Sequence, residues 1–297
     1  MKHIVSPHIL MVRPASFGHN MQTAGTNLFQ VNEPIGDEDY IRTIAQEEFD
    51  GLVKQLKSKG VNVVVAFDTR EPEKPDSCFP NNWVSFHNNG TAVLYPMYSP
   101  NRRWERRRSI LELIEKEFVI TNELDLSHYE EEGKFLEGTG SMVFDKEHHV
   151  CYASLSARTH DEVLHDFCEK MKYELVRFET TDDRGQPVYH TNVLFSVSQH
   201  YAVVCMDCIR LQQERDMITE RLKVNNKEII EITMDQMFQF CGNVLEVTNP
   251  AGDSLLVMSE KAYLSFRPEQ MEVITHFSEP VHAPLGTIER ISGGGAR

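Results

Sequence analysis

The chain has 297 residues, 40% hydrophobic and 25% charged, which is enough apolar material for a large folded core and unlike a disordered segment. Its formal net charge of −15 speaks against nucleic acid or an anionic membrane as a partner, because both demand basic surface. Six scattered cysteines argue against a disulfide framework. There is no run of about 18 apolar residues, and the opening Met1-Lys2-His3-Ile4-Val5-Ser6-Pro7 lacks a signal-peptide core, so a cytoplasmic protein is expected.

In chain order, residues 9–12 read as a strand, 37–59 as a long helix and 61–67 as a second strand. Residues 83–86 and 91–95 then flank Asn88-Asn89-Gly90, a hairpin signal because Asn and Gly tolerate positive φ. The stretch 105–118 carries Ile110, Leu113, Ile114 and Phe118 at the helical period. Strands at 141–144 and 150–154, a helix near 161–172 and a strand near 174–178 follow. The same order returns at 193–197, 201–205, 211–223 and 228–233, and again at 244–248, 255–258, 268–276 and 280–283. Four sets read ββαβ. The segment before them supplies the second half of such a unit without its opening strand.

Each full set begins at a short polar landmark. These are Asn82 in Phe79-Pro80-Asn81-Asn82-Trp83, Glu137 in Leu136-Glu137-Gly138-Thr139-Gly140, His190 in Tyr189-His190-Thr191-Asn192, and Asn243 in Cys241-Gly242-Asn243. They are spaced 55, 53 and 53 residues apart, and a period of about 50 marks repeated supersecondary units. Polar groups at matching places in each unit would meet at one centre. The spacing projects a fifth landmark to 296–298, next to Gly293-Gly294-Gly295-Ala296-Arg297. Five units in a ring, closed by pairing the two chain ends, would leave no exposed sheet edge. With no Pro/Ser/Gly-rich linker in view, residues 1–297 read as one α/β domain.

Two other features read as ordinary structure. Arg102, Arg103, Arg106, Arg107 and Arg108 read as the solvated start of a helix. Cys205 and Cys208 form a C-x-x-C without a second pair at zinc spacing, so they read as buried thiols. Cys78 and Cys241 lie close to landmarks as candidate pocket-lining residues.

With the landmarks in place, the chain resembles the guanidino-group-modifying enzymes: arginine deiminase, dimethylarginine hydrolase and the amidinotransferases. It looks closest to the citrulline-utilisation branch. The phrases that carry the resemblance are Met11-Val12-Arg13-Pro14, Phe79-Pro80-Asn81-Asn82-Trp83, Glu137-Gly138-Thr139-Gly140, Ser156-Ala157-Arg158-Thr159, His190-Thr191-Asn192-Val193 and Gly293-Gly294-Gly295-Ala296-Arg297. The resemblance implies a five-bladed αβ-propeller, the pentein fold. It further implies a cysteine thiolate that attacks the planar carbon of the substrate, His190 and Glu137 as the proton-transfer pair, and Arg102 and Arg158 as holders of the substrate carboxylate, with Arg103 as the near alternative to Arg102. No metal or organic cofactor is implied; the partner is a small amino acid, and a homo-oligomer is compatible with the pattern.

Two departures shape the expectation. Asn82 stands where the arginine-processing members that the chain resembles place an aspartate, and Asn192 where arginine deiminases place another. A buried carboxylate needs a cationic partner, whereas an amide matches the donor and acceptor of a neutral ureido group. The expected activity is therefore hydrolysis of citrulline to ornithine, carbon dioxide and ammonia through a cysteine-bound carbamoyl group. Arginine deiminase or methylarginine hydrolase is the alternative, and an inactive amino-acid-binding protein the second. The family's cysteine follows the Gly-Gly-x-Ala-Arg phrase, so a strand carrying it is expected past Arg297.

Overall fold

The structure, a computed structural model, describes residues 5–31 and 36–297; the amino-terminal reading at 1–4 falls outside them. Strand β1 (His8–Arg13) pairs in parallel with β2 (Asn62–Phe67), and the helix Glu38–Ser58 crosses between them. The first full unit holds β3 (Val84–Phe86), β4 (Thr91–Leu94) and β5 (Asn122–Asp125). The second holds β6 (Met142–Asp145), β7 (Val150–Leu155) and β8 (Glu174–Glu179). The third holds β9 (Phe195–Val197), β10 (Tyr201–Val204) and β11 (Glu228–Glu231), and the fourth β12 (Leu245–Thr248), β13 (Ser254–Ser259) and β14 (Glu279–Ala283).

In every full unit the first strand runs antiparallel to the second, and the second parallel to the third. The reason is geometric: a short turn suffices for an antiparallel return, whereas a parallel partner needs a crossover long enough for a helix. The middle strands, such as Val150-Cys151-Tyr152-Ala153 in β7, are fully buried, as strands covered on both faces must be. By the same pattern β1 is a middle strand, and its second edge has no strand partner among the described residues.

The helices close the outside. Glu38–Ser58 is capped by the Asp37 carboxylate, which accepts the Tyr40 N–H at 2.8 Å, and it buries Ala45, Phe49, Leu52 and Leu56 along one stripe. That stripe shares a core with Val247, Leu255, Val257 and Val281 of the fourth unit and with Ile288 of the helix Gly286–Ser292. Thr248 N–H also donates to the Ser6 carbonyl at 3.2 Å. The amino-terminal half-unit thus packs against the fourth unit, and cutting Phe49 or Leu52 to alanine would cost about 2–5 kcal/mol. No helix among the described residues is long and apolar enough to cross a membrane.

The structure corrects several local readings. The helix expected at 105–118 is shorter, Arg108–Glu115, and a separate helical turn, Pro100–Arg103, precedes it. Between the two, the chain turns Glu105 inward, where it is buried and pairs with Arg102. Nor is the arginine cluster a solvated helix start. Arg106 pairs with Glu130, Arg107 with Asp68, and Arg108 with Glu115 and Glu123, so these cations are met locally by carboxylates. Three inner strands begin a residue or two after the expected point, because the landmarks form their own turns at Pro80–Asn82, Gly138–Ser141 and Thr191–Val193.

Candidate active site

All four landmarks sit at the same end of their inner strands, and side-chain bonds tie each to its neighbour around the centre. Thr191 Oγ1 donates to the Ser141 carbonyl at 2.6 Å and accepts the Ser154 N–H at 2.8 Å, joining the second and third units. Asn243 Nδ2 donates to the Asn192 carbonyl at 3.2 Å, joining the third and fourth. Asn243 Oδ1 then accepts the Arg297 N–H at 3.2 Å, and Asn192 Nδ2 reaches the Arg297 carbonyl at 3.5 Å. Arg297 therefore lies at the central position that the landmark spacing projects.

Glu137 is fully buried behind the imidazole of His190. Its Oε2 meets His190 Nε2 at 2.8 Å, Arg158 Nη1 at 3.5 Å and Arg102 Nη1 at 3.8 Å, while Oε1 accepts the Tyr98 N–H at 3.1 Å. Burial alone would raise the Glu137 carboxyl, but Arg158, the His190 hydrogen bond and Arg102 together hold it well below the usual carboxylate range. Burial lowers His190 to about 4 against the pull of Glu137. At neutral pH the pair is thus a carboxylate and a neutral imidazole. A carboxylate only accepts, so Nε2 carries the proton and Nδ1 is left as the basic edge.

That edge and the Asn82 amide share a space made by glycine. A Cβ on Gly140 would stand 2.5 Å from Asn82 Nδ2 and 2.7 Å from His190 Nδ1. Gly138, at φ +44°, takes the turn that brings Glu137 in, and a Cβ there would strike the Asn81 carbonyl.

Arg158 and Arg102 are both buried but differently occupied. Arg158 lies over the Tyr189 ring at 4.7 Å and donates from Nη2 to Thr26 Oγ1 at 2.7 Å and to the Thr23 carbonyl at 3.3 Å. Arg102 gives Nε and Nη2 to the two oxygens of Glu105 at 2.9 and 3.0 Å, and Nη1 to Asn82 Oδ1 at 2.8 Å. Burial pushes the Glu105 carboxyl up to about 7, and Arg102 opposes that rise. Arg103 turns away to Glu130 and the Phe135 ring, so of the two adjacent arginines Arg102 is the one at the centre.

A cavity of about 30 Å³ lies between these groups, and Asn82, Arg102, Arg158, His190, Asn192 and Arg297 are in its wall. Of the six expected site residues, five line it and Glu137 stands behind His190. A second cavity of about 350 Å³ runs along the open side of β1, walled by Ile9, Met11, Phe49, Val84 and Val247, and shares Phe79, Asn81 and Arg297 with the first. Cys78 is on the larger wall, where burial raises its thiol far above the ordinary value, and Cys241 is buried and lines neither. Among the described residues no thiol lines the small cavity, and no three His, Cys, Asp or Glu side chains gather to hold a metal. Cys205 and Cys208 are buried at the end of β10, 3.4 Å apart at sulfur.

The sequence reading missed Asp76. It is buried and on the cavity wall; Oδ2 accepts Asn20 Nδ2 at 2.7 Å, and Oδ1 has no hydrogen-bond partner. Its setting, Pro75-Asp76-Ser77, reads as a plain turn; only its place six residues before Asn82 could have flagged it.

The family described as N,N dimethylarginine dimethylhydrolase, eukaryotic, matches residues 13–297. No curated protein sequence matches. Among solved structures, the N-terminal domain of ArgZ, an arginine dihydrolase from the ornithine-ammonia cycle in cyanobacteria, was determined as a cysteine-to-serine mutant bound to substrate. It superposes with a TM-score of 0.75 and 18% identity over 97% of this chain and 95% of that one. Apo ArgZ gives 0.74 and 19% over 97% of this chain, which spans 39% of the length of that protein. The dimethylarginine dimethylhydrolase of Pseudomonas aeruginosa, a cysteine-to-serine mutant with citrulline, gives 0.65 and 16% over 99% of this chain and 97% of that one. These structures establish the pentein fold, and the family match over nearly the whole length establishes the lineage: the chain belongs to the N,N-dimethylarginine dimethylhydrolase family of guanidino-group-modifying hydrolases.

Proposed function

We propose that the protein hydrolyses the ureido group of citrulline. The observation that carries this reading is how the acidic groups are spent. Glu137 is taken by His190 and Arg158, and Glu105 by Arg102, so the wall offers the amides of Asn82, Asn192 and Asn243. The single unpartnered carboxylate oxygen on that wall, Asp76 Oδ1, suits the α-ammonium that any free amino acid carries. Arginine would bring a second cation with no carboxylate left to meet it, at a cost of several kcal/mol. Arg158, stacked on Tyr189, holds the substrate carboxylate, and Arg102 adds the Nη1 hydrogen not given to Asn82.

The nucleophile in this proposal is a cysteine on a strand that follows Arg297 and lies along the open edge of β1. Arg297 already stands at the cavity wall, and the larger cavity has room beside β1 for an extended segment. His190 Nδ1 takes the proton of the thiol as the sulfur adds to the ureido carbon, and passes it to the leaving nitrogen as the C–N bond to the ornithine side chain breaks. Water, deprotonated at His190 Nδ1, then attacks the thiol-bound carbamoyl group. The thiolate returns, and the carbamic acid released falls to carbon dioxide and ammonia. Glu137 holds the imidazole in the tautomer both steps require. Hydrolysis of a methylated arginine is the second reading, favoured by the description of the matching family.

The test is a mass measurement. Protein that includes the residues following Arg297, quenched in acid during turnover of citrulline, should gain one carbamoyl group on a cysteine peptide and release ornithine. A cysteine adduct that keeps a substrate nitrogen substituent from methylarginine, with none formed from citrulline, would favour the second reading.

A further inference from the structure

The geometry points to Glu105 and Arg102 as positioning residues that fix which face of the Asn82 amide meets the ligand. Arg102 carries only N–H donors, so the Asn82 atom 2.8 Å from its Nη1 must be the oxygen; the amide cannot be turned over. With Oδ1 held, Nδ2 is the end that faces Gly140 and His190, where a Cβ on Gly140 would meet both. Asn82 therefore turns its N–H donors, and not its oxygen, toward the ligand. A ureido oxygen, or the oxyanion that develops on it during attack, is an acceptor and matches. A guanidinium presents only N–H groups, and donor would face donor.

Glu105 makes the arrangement rigid. Its two oxygens take Nε and Nη2 of Arg102 in a fork, which leaves Nη1 as the only end of the guanidinium free to reach Asn82. Both side chains are almost completely buried, at 2% exposure each, and the non-helical stretch between Arg103 and Arg108 turns Glu105 inward. An ion pair three residues apart on a surface helix would have no such consequence. Here it sets a hydrogen-bond polarity one residue further in, at the ligand. The inference rests on the citrulline reading and adds to it a cause for selectivity outside the residues that touch substrate.

The experiment is ligand binding by the full chain, which needs no turnover. Dissociation constants for citrulline and for arginine are measured by calorimetry on the wild type, Glu105→Gln and Arg102→Lys. Glu105→Gln keeps the shape of the side chain and removes the charge that anchors Arg102. Arg102→Lys keeps the buried cation and removes the fork. Each should weaken citrulline about tenfold, a change of about 1.4 kcal/mol, and leave arginine unchanged or tighter, so that the ratio of the two constants falls. Glu105→Asp, which restores the charge, should recover most of the wild-type ratio. Equal weakening of both ligands in both variants would show that the pair only supports the fold, and the inference would be wrong while citrulline remained the substrate. A wild type that binds arginine more tightly than citrulline would overturn the inference and the substrate assignment together.

Discussion

The two sides of the central cavity are built from different chemistry. One side, made by the first and second units, carries Arg102, Glu105, Glu137 and Arg158 as paired charges, and His190 bonds to Glu137 across the gap to the third unit. The other side, made by the third and fourth units, carries the amides of Asn192 and Asn243, bonded to backbone. The carboxylates of Glu105 and Glu137, with partners at 2.8–3.5 Å, are neutralised where they stand, so they set geometry and proton position without demanding a cation at the reacting end of the ligand. Amides in contact with a cavity read hydrogen-bond polarity instead. The contrast teaches that the count of charged residues at a site says little about ligand charge; what matters is which of them are already spent.

Breaking the charged side should have the largest effect. His190→Gln should lower kcat for citrulline about 10²–10⁴-fold, the span of general acid–base catalysis, with little change in citrulline binding. Steady-state rates and calorimetry together check this, and a comparable loss of affinity would place His190 among binding groups. Acid should weaken the same side. His190 titrates near 4 when folded against 6.5 unfolded, so between these values the unfolded chain takes up a proton that the folded chain refuses. Its stabilisation is complete above pH 6.5 and declines as pH falls toward 4, by on the order of 3 kcal/mol at full effect. Glu137, held below its ordinary value, adds to the loss below pH 4.5. Glu105 acts in the other sense: lifted to about 7, it favours the folded state as it protonates between pH 7 and 4.5. The His190 share is therefore read as the difference between urea melts of the wild type and His190→Gln at pH 7 and pH 5, and parallel curves would contradict the assignment.

The seam between the two sides is Gly140. Gly140→Ala should cost about 1–3 kcal/mol of stability from overpacking against Asn82 and His190 and should reduce kcat in step. Thermal melts that match the wild type would mean the seam is looser than drawn. On the amide side the effect should be smallest: Asn192→Ala removes one long contact to Arg297 and one ligand hydrogen bond, about 0.5–1.5 kcal/mol of citrulline binding.

The sequence made the repeat legible because each unit announces itself twice, by a polar landmark and by a helix whose apolar period is long enough to read. Val163, Leu164, Phe167 and Cys168 in the helix Asp161–Met171 are such a stripe, and so are Ala45, Phe49, Leu52 and Leu56. The short helices Met234–Phe238 and Glu260–Ser265 escaped, because five or six residues hold too little of a period to register and their caps, at Thr233 and Ser259, are local signals. The landmarks gave the positions of Asn82, Glu137 and His190 but no indication of who pairs with whom. That Arg102 folds back on Glu105 and not outward to solvent depends on burial by the loop that bears Asp76 and by the turn at Phe79, which are far apart in sequence from the arginine cluster. Asp76 stayed hidden for the same reason: an acid in a proline-flanked turn looks solvated until the fold closes over it.

The central claim is that the site reads a neutral ureido group. The most direct measurement is a competition: the protein, carried through the strand proposed to follow Arg297, is given equimolar citrulline and arginine, and products are followed by mass spectrometry with each substrate carrying a different isotope. The account predicts ornithine from the citrulline label and little consumption of arginine. Preferential loss of the arginine label, with citrulline accumulating from it and not consumed, would contradict the account.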